Sequence, residues 1–418
     1  MSFYHIHGGN RLTGEIQVQG AKNSVLPLLA GAILAKGETV IHNCPALSDV
    51  SHTMDILSLL GCQVKREGST VIVDSTALNT WEIPCEKMQE MRSSVLFLGA
   101  LLGRLGKAQV CSPGGCQLGP RPIDIHLSAF TQLGVSVVQR GDDLTCTSTA
   151  MTQGKEICLS FPSVGATENI MLAACGFSGV TTIVGAAREP EIVDLQEFLC
   201  SMGAKIHGAG TTVIQIEGGS TLRPTEFTVM GDRIVACTYL SAAAVTGGTV
   251  SLTGVSAQVM TSVLSTFSQM GCCLSTRKSA ITLATSQRLQ GISPLRTAPY
   301  PGFPTDCQAL LMATLATSCG STMLEENVFD SRYHHVDELR RMGASIEISS
   351  RVALVKGVSQ LQGATVQGRD LRGAAALVVA SLGAKGESRV YGLSHLQRGY
   401  ESLETDLRNM GAEIELRS

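Results

Sequence analysis

One five-residue pattern recurs six times along the 418-residue chain and constrains the fold more than any other feature. It consists of Leu or Met, then Gly, two variable residues and an aliphatic residue. Its glycines are Gly61, Gly134, Gly203, Gly271, Gly343 and Gly411, spaced 73, 69, 68, 72 and 68 residues apart. Some 23–28 residues before each, another glycine opens a β-type run, as in Gly37-Glu-Thr-Val-Ile41 and Gly386-Glu-Ser-Arg-Val390. An apolar segment rich in Ala, Leu, Gly and Ser precedes that run. An amphipathic segment such as Val336-Asp-Glu-Leu-Arg-Arg-Met342 precedes the repeated pattern, with apolar residues at helical spacing. The repeat therefore reads as buried helix, strand, amphipathic helix and one or two strands. Units of about 70 residues are longer than the ~20–50 residues of solenoid repeats, which favours two α/β domains of three units each. The boundary is expected near 229–231. The first 20 residues read as a strand pair, Phe3–His7 and 14–18, completing the sixth unit by cyclic closure beside a C-terminal strand at 413–416.

Composition narrows the function. At 44% hydrophobic and 16% charged, the chain can bury large cores. Only 4% of residues are aromatic, and the net charge is −3, so neither a stacking surface for nucleic acid nor a global basic field is expected. The longest apolar runs, 25–35 and 373–384, fall short of the ~18 residues of a membrane span. The N-terminus shows no signal-peptide pattern. Fourteen cysteines are scattered without a CxxC pair, and nine histidines show no ligand spacing. A cytoplasmic protein with mostly buried free thiols and no metal is expected.

The repeat aligns the starts of the six buried segments. They carry Lys22, Arg92, Thr167-Glu168, Asp232-Arg233, Asp306 and Asp370-Leu-Arg372. Acidic residues suit the positive end of a helix dipole; Lys22, Arg92, Arg233 and Arg372 oppose it, at ~0.3–1 kcal/mol each. Helix starts also bind anions. Two domains facing one another would set six such ends around a cleft, a pocket for a small anion bearing phosphate or carboxylate. The competing reading gives each cation a neighbouring ion-pair partner. Arg121, Arg332 and Arg398, in polar turns, are further candidates for gripping such an anion.

The segment Cys111-Ser-Pro-Gly-Gly-Cys116-Gln-Leu-Gly-Pro-Arg121-Pro122 holds three glycines and three prolines, which excludes helix or central strand. Cys116 follows a Gly-Gly hinge and precedes Arg121, the setting of a reactive thiol that acts as nucleophile or proton donor. Cys111 ends a strand at 108–111 and reads as packing. His126 leaves a Cys–His hydrolase open. Asp306, after a Pro-rich run, reads either as an N-cap or as a general base.

These segments resemble the UDP-N-acetylglucosamine enolpyruvyl transferases over essentially the whole chain. The resemblance rests on Gly20-Ala-Lys22-Asn23, Met91-Arg92-Ser-Ser94, Pro113-Gly-Gly-Cys116, Gly119-Pro-Arg121-Pro-Ile-Asp124-Ile-His126, Ser163-Val-Gly-Ala-Thr167, Ala187-Arg-Glu-Pro-Glu-Ile-Val-Asp194, Phe303-Pro-Thr-Asp306, Asp370-Leu-Arg372 and Arg398-Gly-Tyr400. It implies a two-domain inside-out α/β barrel of six units, with 21–229 as the domain carrying Cys116. Residues 1–20 plus 230–418 would form the domain carrying Asp306 and Arg398. It also implies transfer of enolpyruvate from phosphoenolpyruvate to the 3-hydroxyl of UDP-N-acetylglucosamine with release of phosphate. That is the first committed step of peptidoglycan synthesis, run without cofactor or metal, through a tetrahedral ketal.

By the same resemblance, Cys116 protonates the enolpyruvyl methylene and is the thiol alkylated by fosfomycin. Asp306 accepts or positions the sugar hydroxyl. Lys22, Arg121 and Arg398 clamp phosphate and carboxylate, inside a shell of Asn23, Arg92, Arg332, Asp370 and Arg372. The nucleotide falls to Arg121, Pro122, Ile123, Asp124 and Ile125 with Ser163, Val164 and Gly165, and Val328 lies against the sugar. Phe161 departs from members that place a lysine near the diphosphate. The shikimate-pathway relative and a sugar-nucleotide-binding paralogue without turnover are the alternative functions. The sequence sets no oligomeric state.

Overall fold

The computed structural model describes residues 2–114, 122–149 and 151–418. These form two compact units, one running from Gly20 to Met230 and the other joining residues 2–19 to Gly231–Ser418. Each has its own apolar core. The first core is built on helices Lys22–Gly31, Leu96–Leu105 and Val164–Ala174. The second is built on Arg233–Thr246, Thr305–Leu315 and Leu371–Gly383. These helices are buried almost all round, as their lack of a polar face requires. Small residues set their spacing: a Cβ on Gly99 would stand 2.3 Å from the Asn169 carbonyl oxygen in the neighbouring helix.

Among the described residues, each unit carries three sheets. Five share one arrangement, seen in the sheet around Ser321–Glu325. Leu295–Arg296 lies parallel to that strand on one side; Val352–Lys356 lies antiparallel on the other, followed by Ser345–Ser349. In the sixth, built on Lys107–Cys111, a parallel bridge between Glu82 and Gln109 takes the place of the short strand. The parallel strand reaches its partner through a buried helix, the crossover that parallel pairing needs.

The amphipathic helices end alike. All six repeat glycines are left-handed, with φ between +86° and +101°. The next residue's N–H reaches five residues back: Cys62 to Leu57, Val135 to Phe130, Ala204 to Leu199, Cys272 to Phe267, Ala344 to Leu339 and Ala412 to Leu407, at 2.9–3.0 Å. This closure satisfies a carbonyl at the helix end, and glycine takes its backbone conformation without a Cβ penalty.

One expectation needs correction. Phe3–His7 and Thr13–Gln17 both form strands but do not pair with each other. Phe3–His7 lies antiparallel between Glu387–Tyr391 and Glu413–Arg417, supplying the last strand of the sixth repeat. Thr13–Gln17 runs parallel to Thr249–Thr253 in another sheet. It begins a strand–helix–strand crossover whose helix is Arg233–Thr246, and the 20–230 unit is inserted in between. Glu226–Thr228 in turn lies parallel to Glu38–His42 and completes the sheet that follows the Lys22–Gly31 helix. Among the described residues, no helix is long and apolar enough to cross a membrane.

Candidate functional site

In the 20–230 unit, Lys22 is the first residue of its helix, whose first turn carries no acidic residue. Its Nζ lies 2.7 Å from Asp49 Oδ2, and both side chains are buried. Asp49 sits in the first turn of Ser48–Leu59. Sequence reasoning missed Asp49 because an acid in a first turn is ordinary. Asn23, beside Lys22, is exposed. Ser24 donates to Asp194 Oδ2; burial raises that carboxyl to about 6 despite the hydrogen bond.

Arg92 opens a 3₁₀ turn, Arg92–Val95, and the buried helix proper begins at Leu96. Its Nη2 donates to Pro122 O at 3.1 Å. Pro122 and Ile123 lead into Asp124–Gln132, so Asp124 and Ile125 are the first two residues of that helix. His126 is buried behind them, and Asn169 Nδ2 donates to its Nδ1 at 2.8 Å. Burial first, then the Arg92 charge, lower its pKa to about 4, so the ring is neutral. A Cβ on Gly165 would stand 3.2 Å from His126 Cε1. Around this histidine the structure thus brings together 122–125 and 163–165, the two segments expected to hold the nucleotide.

Ser163 caps Val164–Ala174 by accepting from Ala166 N–H at 3.3 Å. The helix therefore starts three residues earlier than expected from Thr167-Glu168, and its free N–H groups suit an anion. Phe161, just before it, is exposed. Glu168 lies in the second turn, buried. Burial, then the charges of Glu191 and Glu189, push its carboxyl well above the usual range.

In the other unit the order of charges changes. Asp306 is the second residue of Thr305–Leu315 and not its cap, which is Pro304. Its carboxylate takes Arg332 Nη2 at 2.6 Å and Arg372 Nη2 at 2.9 Å. Burial works to raise its pKa, but the Arg372 and Arg332 charges and hydrogen bonds overcome it and hold the carboxyl well below the usual range. Both arginines are buried. Asp370 caps Leu371–Gly383, accepting from Arg372 N–H at 3.0 Å and Gly373 N–H at 2.9 Å. Asp232 likewise caps Arg233–Thr246.

The buried Glu326 takes Thr305 Oγ1 at 2.9 Å and the backbone N–H groups of Val328 and Phe329 at 2.9 and 3.1 Å, fixing Val328 beside the Asp306 helix. Arg398 is half-buried past the short helix Leu393–Leu396, and its N–H donates to His395 O at 3.3 Å. Tyr400 next to it bonds Thr238 Oγ1 at 2.8 Å, and its hydroxyl also feels Arg372. Asp306, Arg332, Asp370 and Arg372 are thus one cluster. A carboxylate gripped by two guanidinium groups is a weak base and a fixed hydrogen-bond acceptor.

Cys116 and Arg121 lie outside the described residues. Cys111 ends its strand and is buried, as expected, but it is not a free thiol: its sulfur is bonded to Cys85. The strand register brings Cys111 to the surface of a cleft beside residue 85, a meeting that sequence spacing does not show.

A family model for EPSP synthase (3-phosphoshikimate 1-carboxyvinyltransferase) matches residues 6–415. UDP-N-acetylglucosamine 1-carboxyvinyltransferase 2 of Caldanaerobacter subterraneus subsp. tengcongensis is 46% identical over 414 residues, 99% of each chain. UDP-N-acetylglucosamine 1-carboxyvinyltransferase 1 of Symbiobacterium thermophilum is 45% identical over 416 residues, 98% of this chain and 94% of its own. Among solved structures, the enolpyruvyl transferase NikO from Streptomyces tendae matches with TM-score 0.89 at 25% identity, covering 99% of this chain and 98% of its own. EPSP synthase from Acinetobacter baumannii shares the fold, with TM-score 0.78 at 19% identity over the whole of both chains.

Proposed function

The chain belongs to the enolpyruvyl transferase family, among the UDP-N-acetylglucosamine 1-carboxyvinyltransferases, and on that premise we propose how its residues divide the work. The acceptor is UDP-N-acetylglucosamine and the donor phosphoenolpyruvate. The 3-hydroxyl oxygen bonds to C2 of phosphoenolpyruvate, its proton passing by way of Asp306 to solvent, while Cys116 gives its thiol proton to C3, forming a tetrahedral ketal. A C3 proton then returns to the Cys116 thiolate as the bond from C2 to the phosphate oxygen breaks, which restores the double bond and leaves the enolpyruvyl ether and free phosphate.

Asp306 supports this scheme as the acceptor that orients the sugar hydroxyl. Its two arginines keep it ionised and fix its direction, so it contributes position more than basicity. Lys22, Arg121 and Arg398 bind the phosphate and carboxylate of phosphoenolpyruvate, with Asn23, Arg92, Arg332, Asp370 and Arg372 around them. Fixed cations take the place of a metal in stabilising the developing charge. The 122–125 and 163–165 segments, joined through His126, hold the uridine diphosphate, and Val328 contacts the sugar. These substrates support a cytoplasmic enzyme acting at the first committed step of peptidoglycan synthesis.

The observation that carries the reading is the Asp306–Arg332–Arg372 cluster at the start of a buried helix in a chain of this family. Phosphate release tests it. We expect release with phosphoenolpyruvate plus UDP-N-acetylglucosamine, none with shikimate 3-phosphate, and none from UDP-N-acetylglucosamine alone. Cys116→Ser should lower turnover at least ~100-fold, the lower range for loss of a positioned proton donor, and abolish labelling by fosfomycin. Release with shikimate 3-phosphate, or with the nucleotide sugar alone, would refute the assignment.

A further inference from the structure

Cys85 and Cys111 form a second cysteine site that the proposed reaction does not use. Cys85 is half-buried at the start of the short helix Cys85–Glu90; Cys111 is buried at the end of Lys107–Cys111. Their sulfurs are bonded and their Cα atoms are 5.1 Å apart, within the ~4.4–6.8 Å that bridged cysteines adopt. The approach is built by backbone. Gln109 N–H donates to Trp81 O at 2.9 Å and Ile83 N–H to Gln109 O at 3.0 Å, so 81–83 runs beside the strand and delivers residue 85 to its end. Lys107 Nζ over the Trp81 ring, 4.3 Å from its centroid, pins the same segment.

Asp143 pairs directly opposite Cys111 in the sheet. Its Oδ1 lies 3.2 Å from Cys111 Sγ and 3.8 Å from Cys85 Sγ. A cleft of about 360 Å³, lined by Thr80, Glu82, Pro84, Cys85, Cys111 and Asp143, lies over the pair. An internal disulfide reached from a cleft through one half-exposed sulfur is open to exchange.

We propose that Cys85 and Cys111 are a reversible dithiol–disulfide site whose reactants are low-molecular-weight thiols and their disulfides. An external thiolate attacks Cys85 Sγ, the Cys85–Cys111 bond breaks, and Cys111 leaves as a thiolate that takes a proton from solvent. A second external thiolate attacks the external sulfur of the mixed disulfide. Cys85 is released and protonated, and a small-molecule disulfide departs. Two external thiols are oxidised and the protein disulfide is reduced to two thiols; oxidation by a small-molecule disulfide reverses each step.

The site touches what surrounds it. Gly114 N–H donates to Met88 O in the Cys85–Glu90 helix at 3.1 Å, and a Cβ on Gly114 would stand 2.2 Å from Gln89 O. The same helix runs into the turn that Arg92 opens. The bond therefore fastens the helix to the strand that leads toward Cys116.

The full chain, equilibrated in graded ratios of reduced to oxidised glutathione and quenched with N-ethylmaleimide, tests the site by peptide mass spectrometry. Cys85 and Cys111 should gain label together in one two-electron transition. In Cys111→Ser, Cys85 should carry a stable glutathione adduct; in Cys85→Ser, buried Cys111 should carry none. Asp143→Asn should speed reduction several-fold, because Cys111 then leaves without a carboxylate beside it. Independent labelling of the two cysteines would overturn the proposal, as would a rate that Asp143→Asn leaves unchanged. So would retention of one equivalent of Zn²⁺ by the reduced chain that blocks reoxidation, which would make the three side chains a metal site.

Discussion

Glu168 and Asp306 stand near the starts of buried helices, one in each unit, and each meets a charged group sent by the start of the next amphipathic segment in its own repeat. Glu168 meets Glu191; Asp306 meets Arg332, with Arg372 added from a third helix. The Lys22 repeat shows a third version, a cation facing Asp49. Each time the first turns of a buried helix meet a charged residue from the segment that opens the next helix, and the residues placed there set the ionisation. Asp306 is held as an anion and Glu168 is pushed toward the neutral acid, while Lys22 lies against the Asp49 carboxylate. Three of the six repeats thus differ in the charges set at the start of their buried helices.

The largest break in this pattern should come from Asp306→Asn. It leaves Arg332 and Arg372 facing each other without their anion, and loss of one partner of a buried ion pair costs ~3–5 kcal/mol. Denaturant unfolding measures it, and turnover should fall at least ~100-fold. Glu168→Gln, which mimics the neutral acid, should shift stability by less than ~1 kcal/mol. Lys22→Met should cost ~3 kcal/mol, because Asp49 loses a buried counter-charge, and should weaken binding of phosphoenolpyruvate in calorimetry.

The pH dependence of stability sharpens the contrast. His126 has a folded pKa of about 4, below its unfolded value of 6.5, so its contribution is intact above pH ~6.5 and is lost as pH falls toward 4. His126→Gln should remove up to ~3 kcal/mol of that loss. Asp194 has a folded pKa of about 6, above its unfolded 3.8, so its penalty is present above pH ~6 and is relieved as pH falls. Asp194→Asn should remove that gain. The two variants should tilt the stability–pH slope between about pH 6 and 4 in opposite directions in urea titrations.

The helix-ending glycines should give small effects too. Gly271→Ala and Gly343→Ala meet no atom within 4 Å, so each should cost only the backbone term, ~1 kcal/mol, read as a shift in unfolding midpoint.

Much of this was legible because it repeats. The six left-handed glycines announce themselves as Leu/Met-Gly, and Asp232 and Asp370 cap their helices as Asp commonly does. What stayed hidden is what another segment delivers. Asp49, Glu191 and Cys85 are ordinary residues in their own windows and acquire a role only through a partner in a different element. Thr13–Gln17 failed for the same reason, since its partner strand lies beyond an inserted unit. Asp306 showed its importance in sequence but not its chemistry, because two arginines distant in sequence decide its ionisation.

Carbon-13 NMR of labelled carboxyl groups, assigned with Asp306→Asn and Glu168→Gln, tests the account at its centre. Asp306 should titrate well below the usual carboxylate range and Glu168 well above it. An Asp306 and a Glu168 that both titrate like free carboxylic acids would contradict it.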